Sequence, residues 1–171
     1  MEANLLATPE IFTENGFLEN IQVMVLLVAT IFFLVRSFAL YKKDGFILLA
    51  YGLFVSTFPF IGAGRELSFG ATLGIGAQSV LGIKILMGCI VVLLVAAALF
   101  VFLRFVAPKT TAIFRYLSHP TSLHIYLAIL VFGASSAFEQ GSFQMPKSVI
   151  LEEILELIAF TILLRAAWVL K

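Results

Sequence analysis

Five long apolar runs, separated by short polar or glycine-rich segments, set the pattern of the chain. Each run approaches the roughly 20 residues that an α-helix needs to cross the hydrocarbon core of a bilayer. Because lipid offers no hydrogen-bond partner to the backbone, a segment that crosses it must be helical. The pattern therefore predicts an all-α, polytopic membrane helix bundle of five transmembrane helices, a single membrane domain over residues 1–171. The predicted spans are about 18–40, 45–64, 82–106, 120–138 and 148–170.

Two prolines refine this pattern. Pro59 lies inside the second run, where it has no N–H to donate, so it predicts a kink there. Pro120 begins the fourth run after a Ser–His pair, and proline is favoured in the first turn of a helix. The segments between the runs, including the glycine-rich stretch 67–82 and the stretch 107–119, are interpreted as loops.

Composition agrees with a membrane protein. Hydrophobic residues make up 61% of the chain and charged residues 12%, whereas soluble domains carry roughly 25% charged residues. The single cysteine, Cys89, excludes an internal disulfide and a cysteine metal cluster. An ordinary soluble domain is therefore excluded.

The basic residues indicate how the chain is oriented. With the N-terminus outside, eight of the 11 lysines and arginines fall on the cytoplasmic side: Arg36, Lys42, Lys43, Arg104, Lys109, Arg115, Arg165 and Lys171. The other three fall outside: Arg65, Lys84 and Lys147. Because basic residues near the ends of spans favour the cytoplasmic side, we predict an outer N-terminus and a cytoplasmic C-terminus.

In this topology, each predicted helix contributes polar residues at the outer mouth of the bundle, the third helix through Lys84. We predict that these side chains form a ligand- or cation-binding cluster: Glu19, Gln22, Arg65, Glu66, Glu139, Glu152, Glu153 and Glu156. An arginine at this depth needs a carboxylate partner. We expect Arg65 to pair with a glutamate of the first or the last helix: Glu19, Glu153 or Glu156.

The three glutamates of the last run differ in depth and in angle around the helix. Glu156 lies one helical turn, about 5.4 Å, below Glu152, and its neighbours are Leu155 and Leu157. A charged group at that depth should face the bundle interior. We therefore expect Glu156 to point inward, and at least one of Glu152 and Glu153 to face the aqueous mouth.

Acidic side chains outnumber basic ones in this cluster, so protonation, a bound cation or water must balance the excess. Carboxylate oxygens suit hard divalent cations such as Ca²⁺, Mg²⁺ or Mn²⁺, and the metal ligands would then be Glu19, Glu153 and Glu156. No other cofactor is expected. Both histidines, His119 and His124, lie at the other end of the predicted bundle. A Ser-His-Asp hydrolase site is therefore not predicted, and no catalytic residue is assigned.

Three short segments carry a resemblance to known proteins: ENGFLENIQ (14–22), GRE (64–66) and EEILE (152–156). Together they resemble a family of small, uncharacterised bacterial multi-spanning inner-membrane proteins. The resemblance implies a multi-pass protein of the bacterial inner (cytoplasmic) membrane, and it implies no particular activity.

Three functions fit this pattern. The first, which we favour for the site, is a binding or transport module whose outer cluster holds a cation, protons or a cationic head group. The second is an accessory or structural subunit of a larger membrane complex. The third is a lipid-acting membrane enzyme, which has the least support because no catalytic set is recognised. The expected partners are the lipid bilayer and either other membrane subunits or further copies of this chain, and nucleic acid is not expected.

Overall fold

The computed structural model describes residues 17–67, 77–107, 109–139 and 148–170. The regular elements in these ranges are helices: α1 (Phe17–Asp44), α2 (Phe46–Val55), α3 (Thr57–Glu66), α4 (Ala77–Phe105), α5 (Lys109–Leu117), α6 (Pro120–Glu139) and α7 (Ser148–Val169). The predicted all-α class is confirmed for the described residues. Residues 68–76, which make up most of the predicted glycine-rich loop, lie outside them, and residues 77–82, also predicted as loop, instead form the first turns of α4.

Four segments of the described chain are long and apolar enough to cross a membrane: Leu18–Lys42, Phe46–Glu66, Gln78–Phe105 and Pro120–Phe138. They coincide with the first four predicted spans, because continuous apolar composition over about 20 residues is a strong signal. The last helix, α7, is also long, at 22 residues, but three glutamates and an arginine interrupt its apolar character. Its membrane crossing remains a prediction, and so does the orientation of the two termini.

The surface of α4 suits a membrane environment. This helix is 29 residues long, and its large apolar side chains Val92 and Leu93 are 67% and 68% exposed. Soluble monomeric proteins rarely expose continuous apolar surface on this scale. Lipid tails, which need no polar partner, can cover such a helix along its length.

The helices α2 and α3 form one interrupted segment. Pro59 has no N–H to donate to the carbonyl of Val55, and its ring crowds that carbonyl. Near the break, the Ser56 hydroxyl donates to the carbonyl of Leu53 at 2.8 Å, a local bond that favours helix bending. The interruption at Ser56 agrees with the kink that Pro59 predicted.

The helix α5 corrects the interpretation of residues 107–119 as a loop. Ala112 and Tyr116, four residues apart, are buried, whereas Phe114 on the other side is 72% exposed. Four-residue spacing places two side chains on one face of a helix. The segment is amphipathic, and its nine residues are too few to register as an apolar run.

The central helix of the bundle is α1, which packs against α2, α3 and α7. Its buried stripe consists of Gln22, Leu26, Thr30, Phe33 and Ser37, which recur at the three- or four-residue spacing of a helix face. The hydroxyls of Thr30 and Ser37 donate to backbone carbonyls one turn earlier, at 2.9 and 2.5 Å. Gln22 instead forms hydrogen bonds with another helix.

The helices α1 and α7 run parallel and are joined at both ends. At one end, the side-chain amide of Gln22 contacts Glu153. At the other, Arg36 Nη1 donates to the backbone carbonyls of Trp168 and Leu170, the second at 3.0 Å. The Arg36 guanidinium also lies 4.9 Å from the centroid of the Trp168 ring. Arg36 thus caps the C-terminal end of α7, where the last carbonyls of a helix need donors.

A close approach between α1 and α2 depends on Gly52. A Cβ atom built at this position would overlap the hydroxyl of Ser37. Small residues at such contacts let the backbones of two membrane helices approach closely. The position therefore tolerates no side chain unless the two helices move apart.

Candidate functional site

Three helix ends meet at one end of the bundle: the starts of α1 and α7 and the end of α3. Arg65 Nη2 donates to Glu156 Oε1 at 2.5 Å, and Arg65 Nε lies 3.5 Å from Glu66 Oε1. Glu156 is 2% exposed and Glu66 is 7% exposed. The predicted ion pair between Arg65 and a glutamate of the last helix is confirmed, with Glu156 as the partner.

Gln22 connects α1 to the same group. It is fully buried, and its Nε2 donates to Glu153 Oε2 at 2.9 Å and to the Glu153 carbonyl at 3.2 Å. The buried position of Gln22 follows from the helical spacing, because Gln22 lies one turn before Leu26 on the buried stripe of α1. We define the carboxylate cluster by five residues: Gln22, Arg65, Glu66, Glu153 and Glu156.

Helix α6 contributes an aromatic wall to the cluster. The Arg65 guanidinium lies 4.8 Å from the centroid of the Phe132 ring, a distance at which cation and ring attract each other. The Arg65 side chain is 41% exposed. Its guanidinium is thus held by two carboxylates and one ring face, while part of the side chain remains open to the surroundings.

Two buried oxygen atoms in the carboxylate cluster accept no hydrogen bond: Gln22 Oε1, and Glu66 Oε1, which faces Arg65 Nε at 3.5 Å without forming one. Gln22 lies one turn before Leu26, Glu66 lies one turn after Gly62, and a Cβ at Gly62 would lie 3.2 Å from the Leu26 side chain. Because α1 and α3 run in opposite directions past this contact, both oxygens belong to the same level of the bundle. Leaving a buried acceptor unsatisfied costs about 1–3 kcal/mol. The cluster therefore has a shortage of donors and of positive charge.

The remaining predicted site residues are less closely involved. Glu19 is partly exposed and interacts electrostatically with Glu66 and Glu153. Glu152 is also partly exposed. Glu139 is the last residue of α6, and the placement of its side chain lies outside the described part of the structure.

The three glutamates of α7 are buried in the order that their sequence positions predict. Glu156 is nearly fully buried, whereas Glu152 and Glu153 are partly exposed. The predicted inward position of Glu156 is confirmed. Across the described residues, no group of three or more His, Cys, Asp or Glu side chains is placed to hold a metal ion. Glu19, Glu153 and Glu156, which the sequence suggested as metal ligands, therefore do not form such a group.

A cleft of about 270 Å³ extends from the carboxylate cluster into the bundle. Arg65 and Glu66 are the charged residues among the described residues that line it, and the others are apolar or glycine. Its floor comes from α1 and α7, and its sides come from α3 and α6. The rim residues Ile61 and Ile129 are 47% and 55% exposed, so the cleft opens at its side.

The opposite end of the bundle carries a second polar group that the sequence did not predict. The Tyr51 hydroxyl lies 2.5 Å from Ser122 Oγ, which donates to the carbonyl of Tyr116 at 2.5 Å. The rings of Tyr116 and His119 stack with their centroids 5.5 Å apart. Tyr51 is a single polar residue within an apolar run, and Ser122 follows Thr121 at the start of the fourth run, so only their contact in the fold reveals the pair.

The predicted start of α6 is confirmed at the same end. The helix begins at Pro120, and His119 Nδ1 accepts a hydrogen bond from the backbone N–H of Thr121 at 3.2 Å. His124 Nδ1 lies 2.7 Å from the carbonyl of Pro120, one turn earlier in its own helix. Both histidines therefore make local contacts with the backbone at the beginning of α6.

Comparisons with protein-family models, with curated proteins and with solved structures gave no match to this chain. The interpretation of the carboxylate cluster therefore rests on its own geometry and charge.

Proposed function

We propose that this chain is a multi-pass membrane protein whose carboxylate cluster binds a positively charged group, as a binding or transport module. The observation that carries the proposal is the pair of buried acceptors, Gln22 Oε1 and Glu66 Oε1, without a hydrogen-bond donor. A cation, an added proton or an ammonium group would supply what both oxygens lack. One guanidinium among three carboxylates favours the same class of ligand.

The membrane placement that we propose makes α7 the fifth span, with the N-terminus outside. The carboxylate cluster then lies at the extracytoplasmic mouth, in the bacterial inner membrane that the sequence resemblance suggests. The apolar surface of α4 and the four apolar segments support a membrane location. The excess of basic residues at the other end of the chain's helices supports the orientation.

The residues of the carboxylate cluster suit the binding of a positively charged group. Its five members supply an amide, a guanidinium and three carboxylates. The cluster can hold and orient a donor, and it can exchange a proton with one.

The proposal is tested by titrating the purified protein with cations and following its melting temperature. The panel contains Na⁺, K⁺, NH₄⁺, Mg²⁺, Ca²⁺ and Mn²⁺, and a parallel series varies pH. A ligand that binds only the folded state stabilises it by about 2.7 kcal/mol at 100 times its Kd. We expect at least one cation to raise the melting temperature of the wild type.

The variants Glu66→Gln and Glu152→Gln distinguish binding at the carboxylate cluster from binding at a nearby carboxylate outside it. Both remove one negative charge, but Glu66 is 7% exposed and lies in the cluster, whereas Glu152 is partly exposed. We expect Glu66→Gln to lose the response and Glu152→Gln to keep it. The proposal fails if the wild type responds to neither cations nor pH, or if Glu66→Gln responds as the wild type does.

Topology gives a separate prediction. Reporter fusions after Lys43 and at Lys171 are expected to report a cytoplasmic location, because most basic residues would then lie inside. A fusion in the stretch 140–147 is expected to report the periplasm and serves as the opposite control. A periplasmic signal at Lys171 together with a cytoplasmic signal after Lys43 would mean that α7 does not cross the membrane.

A further inference from the structure

We infer that the ligand of the carboxylate cluster is an amphiphile, with an ammonium head group at Glu66 and a hydrocarbon tail in the cleft between α3 and α6. This inference rests on the proposed function, because it specifies the chemical class of the positively charged ligand. Three features of the cleft carry it: its two-part lining, its open side and the charge at its end.

The lining of the cleft changes from polar to apolar along its length. Glu66 and Arg65 lie at one end, and Phe58, two turns earlier on α3, lies farther down. Glu66 is eight positions after Phe58, which corresponds to a rise of about 12 Å along the helix. Ala128 and Ala159 contribute small side chains to the walls from α6 and α7. A polar end joined to an apolar channel of this length matches a head group with an attached tail.

The cleft also has a route for a hydrocarbon chain. Helix α3 packs on α1, and α6 packs on α7, and the cleft lies between these two pairs. The rim side chains Phe58, Ile61 and Ile129 are 39%, 47% and 55% exposed. In a bilayer this open side faces lipid, so a tail can enter sideways without leaving an apolar environment.

The charge at the polar end selects the head group. Glu66 lines the cleft and is 7% exposed, and its Oε1, which lies 3.5 Å from Arg65 Nε, accepts no hydrogen bond. An ammonium group has a positive charge and several N–H donors, which satisfy this oxygen and reduce the excess of carboxylates. An anionic head group would add to that excess. An inorganic cation would satisfy the oxygen but would leave the apolar part of the cleft without an occupant.

The test compares ammonium compounds of different chain length. The melting temperature of the purified protein in a non-ionic detergent is measured with ethylammonium, dodecylammonium and uncharged dodecanol. We expect half of the full shift at a dodecylammonium concentration at least about tenfold lower than for ethylammonium, because each methylene removed from water strengthens binding. Dodecanol is expected to give no shift, because it supplies no positive charge to Glu66.

Two pairs of variants locate the head and the tail. Glu66→Gln is expected to lose the response to both ammonium compounds, and Glu152→Gln is expected to keep it. Ala128→Phe places a ring in the cleft and is expected to remove the advantage of the long chain. Ala97→Phe makes the same change on an exposed position of α4 and is expected to preserve that advantage.

The outcomes distinguish this inference from the proposed function. If ethylammonium and dodecylammonium act at equal concentrations through Glu66, the proposed function stands and the amphiphile is overturned. If neither compound acts, the amphiphile is overturned, and the titration with inorganic cations and pH decides the proposed function separately. If dodecylammonium acts equally on Glu66→Gln, or if Ala128→Phe keeps the full advantage of the long chain, the tail does not occupy this cleft. Should Ala128→Phe fail to fold, the chain-length series on the wild type decides alone.

Discussion

Replacing Arg65 with alanine is expected to lower the free energy of unfolding by about 3 kcal/mol, the lower end of what breaking a buried ion pair costs. The loss leaves Glu156, which is 2% exposed, and Glu66, which is 7% exposed, without their guanidinium. The 41% exposure of the Arg65 side chain places the value at that lower end. Denaturant unfolding of the purified protein in detergent measures the difference.

The double variant Arg65→Ala/Glu156→Gln shows whether the uncompensated charge causes the loss. Arg65→Ala leaves the buried charge of Glu156 without its guanidinium, and Glu156→Gln removes that charge. The double variant is therefore expected to recover at least half of the free energy of unfolding that Arg65→Ala loses. Arg104→Ala is a matched control, because Arg104 is an exposed arginine near the end of α4. Equal losses in the single and double variants would contradict the ion-pair explanation.

A methyl group at Gly52 is expected to destabilise the bundle by about 1–3 kcal/mol, the usual cost of overpacking a well-packed core. The added Cβ would overlap Ser37 Oγ and lie 2.6 Å from Ser37 Cβ, so a rotamer change of Ser37 does not relieve the overlap and α1 and α2 have to separate. Thermal unfolding of Gly52→Ala against the wild type measures this effect. The direction of the change in stability is informative, because replacing glycine with alanine inside a helix otherwise stabilises the fold by up to about 1 kcal/mol.

Gly88→Ala supplies the comparison. A Cβ at Gly88 meets nothing within 4 Å, so this change is expected to be neutral or stabilising. The double variant Ser37→Gly/Gly52→Ala moves the side chain from one helix to the other and is expected to recover part of the loss. If Gly52→Ala is as stable as Gly88→Ala, the contact between α1 and α2 accommodates a side chain at position 52.

The spans were predictable because they depend on composition along the chain. An apolar run of sufficient length has few alternatives to a helix in lipid, and the four apolar segments agree with the runs read from sequence. The pairing of Arg65 with Glu156 was predictable for a related reason, since a buried charge at that depth requires an opposite charge. Depth along a helix follows from residue number, and Glu156 is one turn deeper than Glu152.

Contacts that depend on how helices face one another were not predictable. Tyr51 and Ser122 are 71 residues apart, and nothing in the spacing of either run indicates that they form a hydrogen bond. The overlap of Gly52 with Ser37 likewise requires the register of two helices. The helix α5 was missed because nine amphipathic residues give no long apolar run. Such features depend on tertiary packing, which the pattern of one run does not specify.

The two links between α1 and α7 have a consequence for synthesis. Gln22 and Glu153 are 131 residues apart, and Arg36 and Trp168 are 132 residues apart. At ribosomal rates of roughly 5–20 residues per second, α1 waits on the order of ten seconds for its partner. During that interval, water, lipid head groups or an insertion factor must solvate the Gln22 amide and the Arg36 guanidinium. Although α1 is synthesised well before α7, it therefore completes its contacts only after α7 has been made, and until then Gln22 and Arg36 lack the partners that they have in the folded bundle.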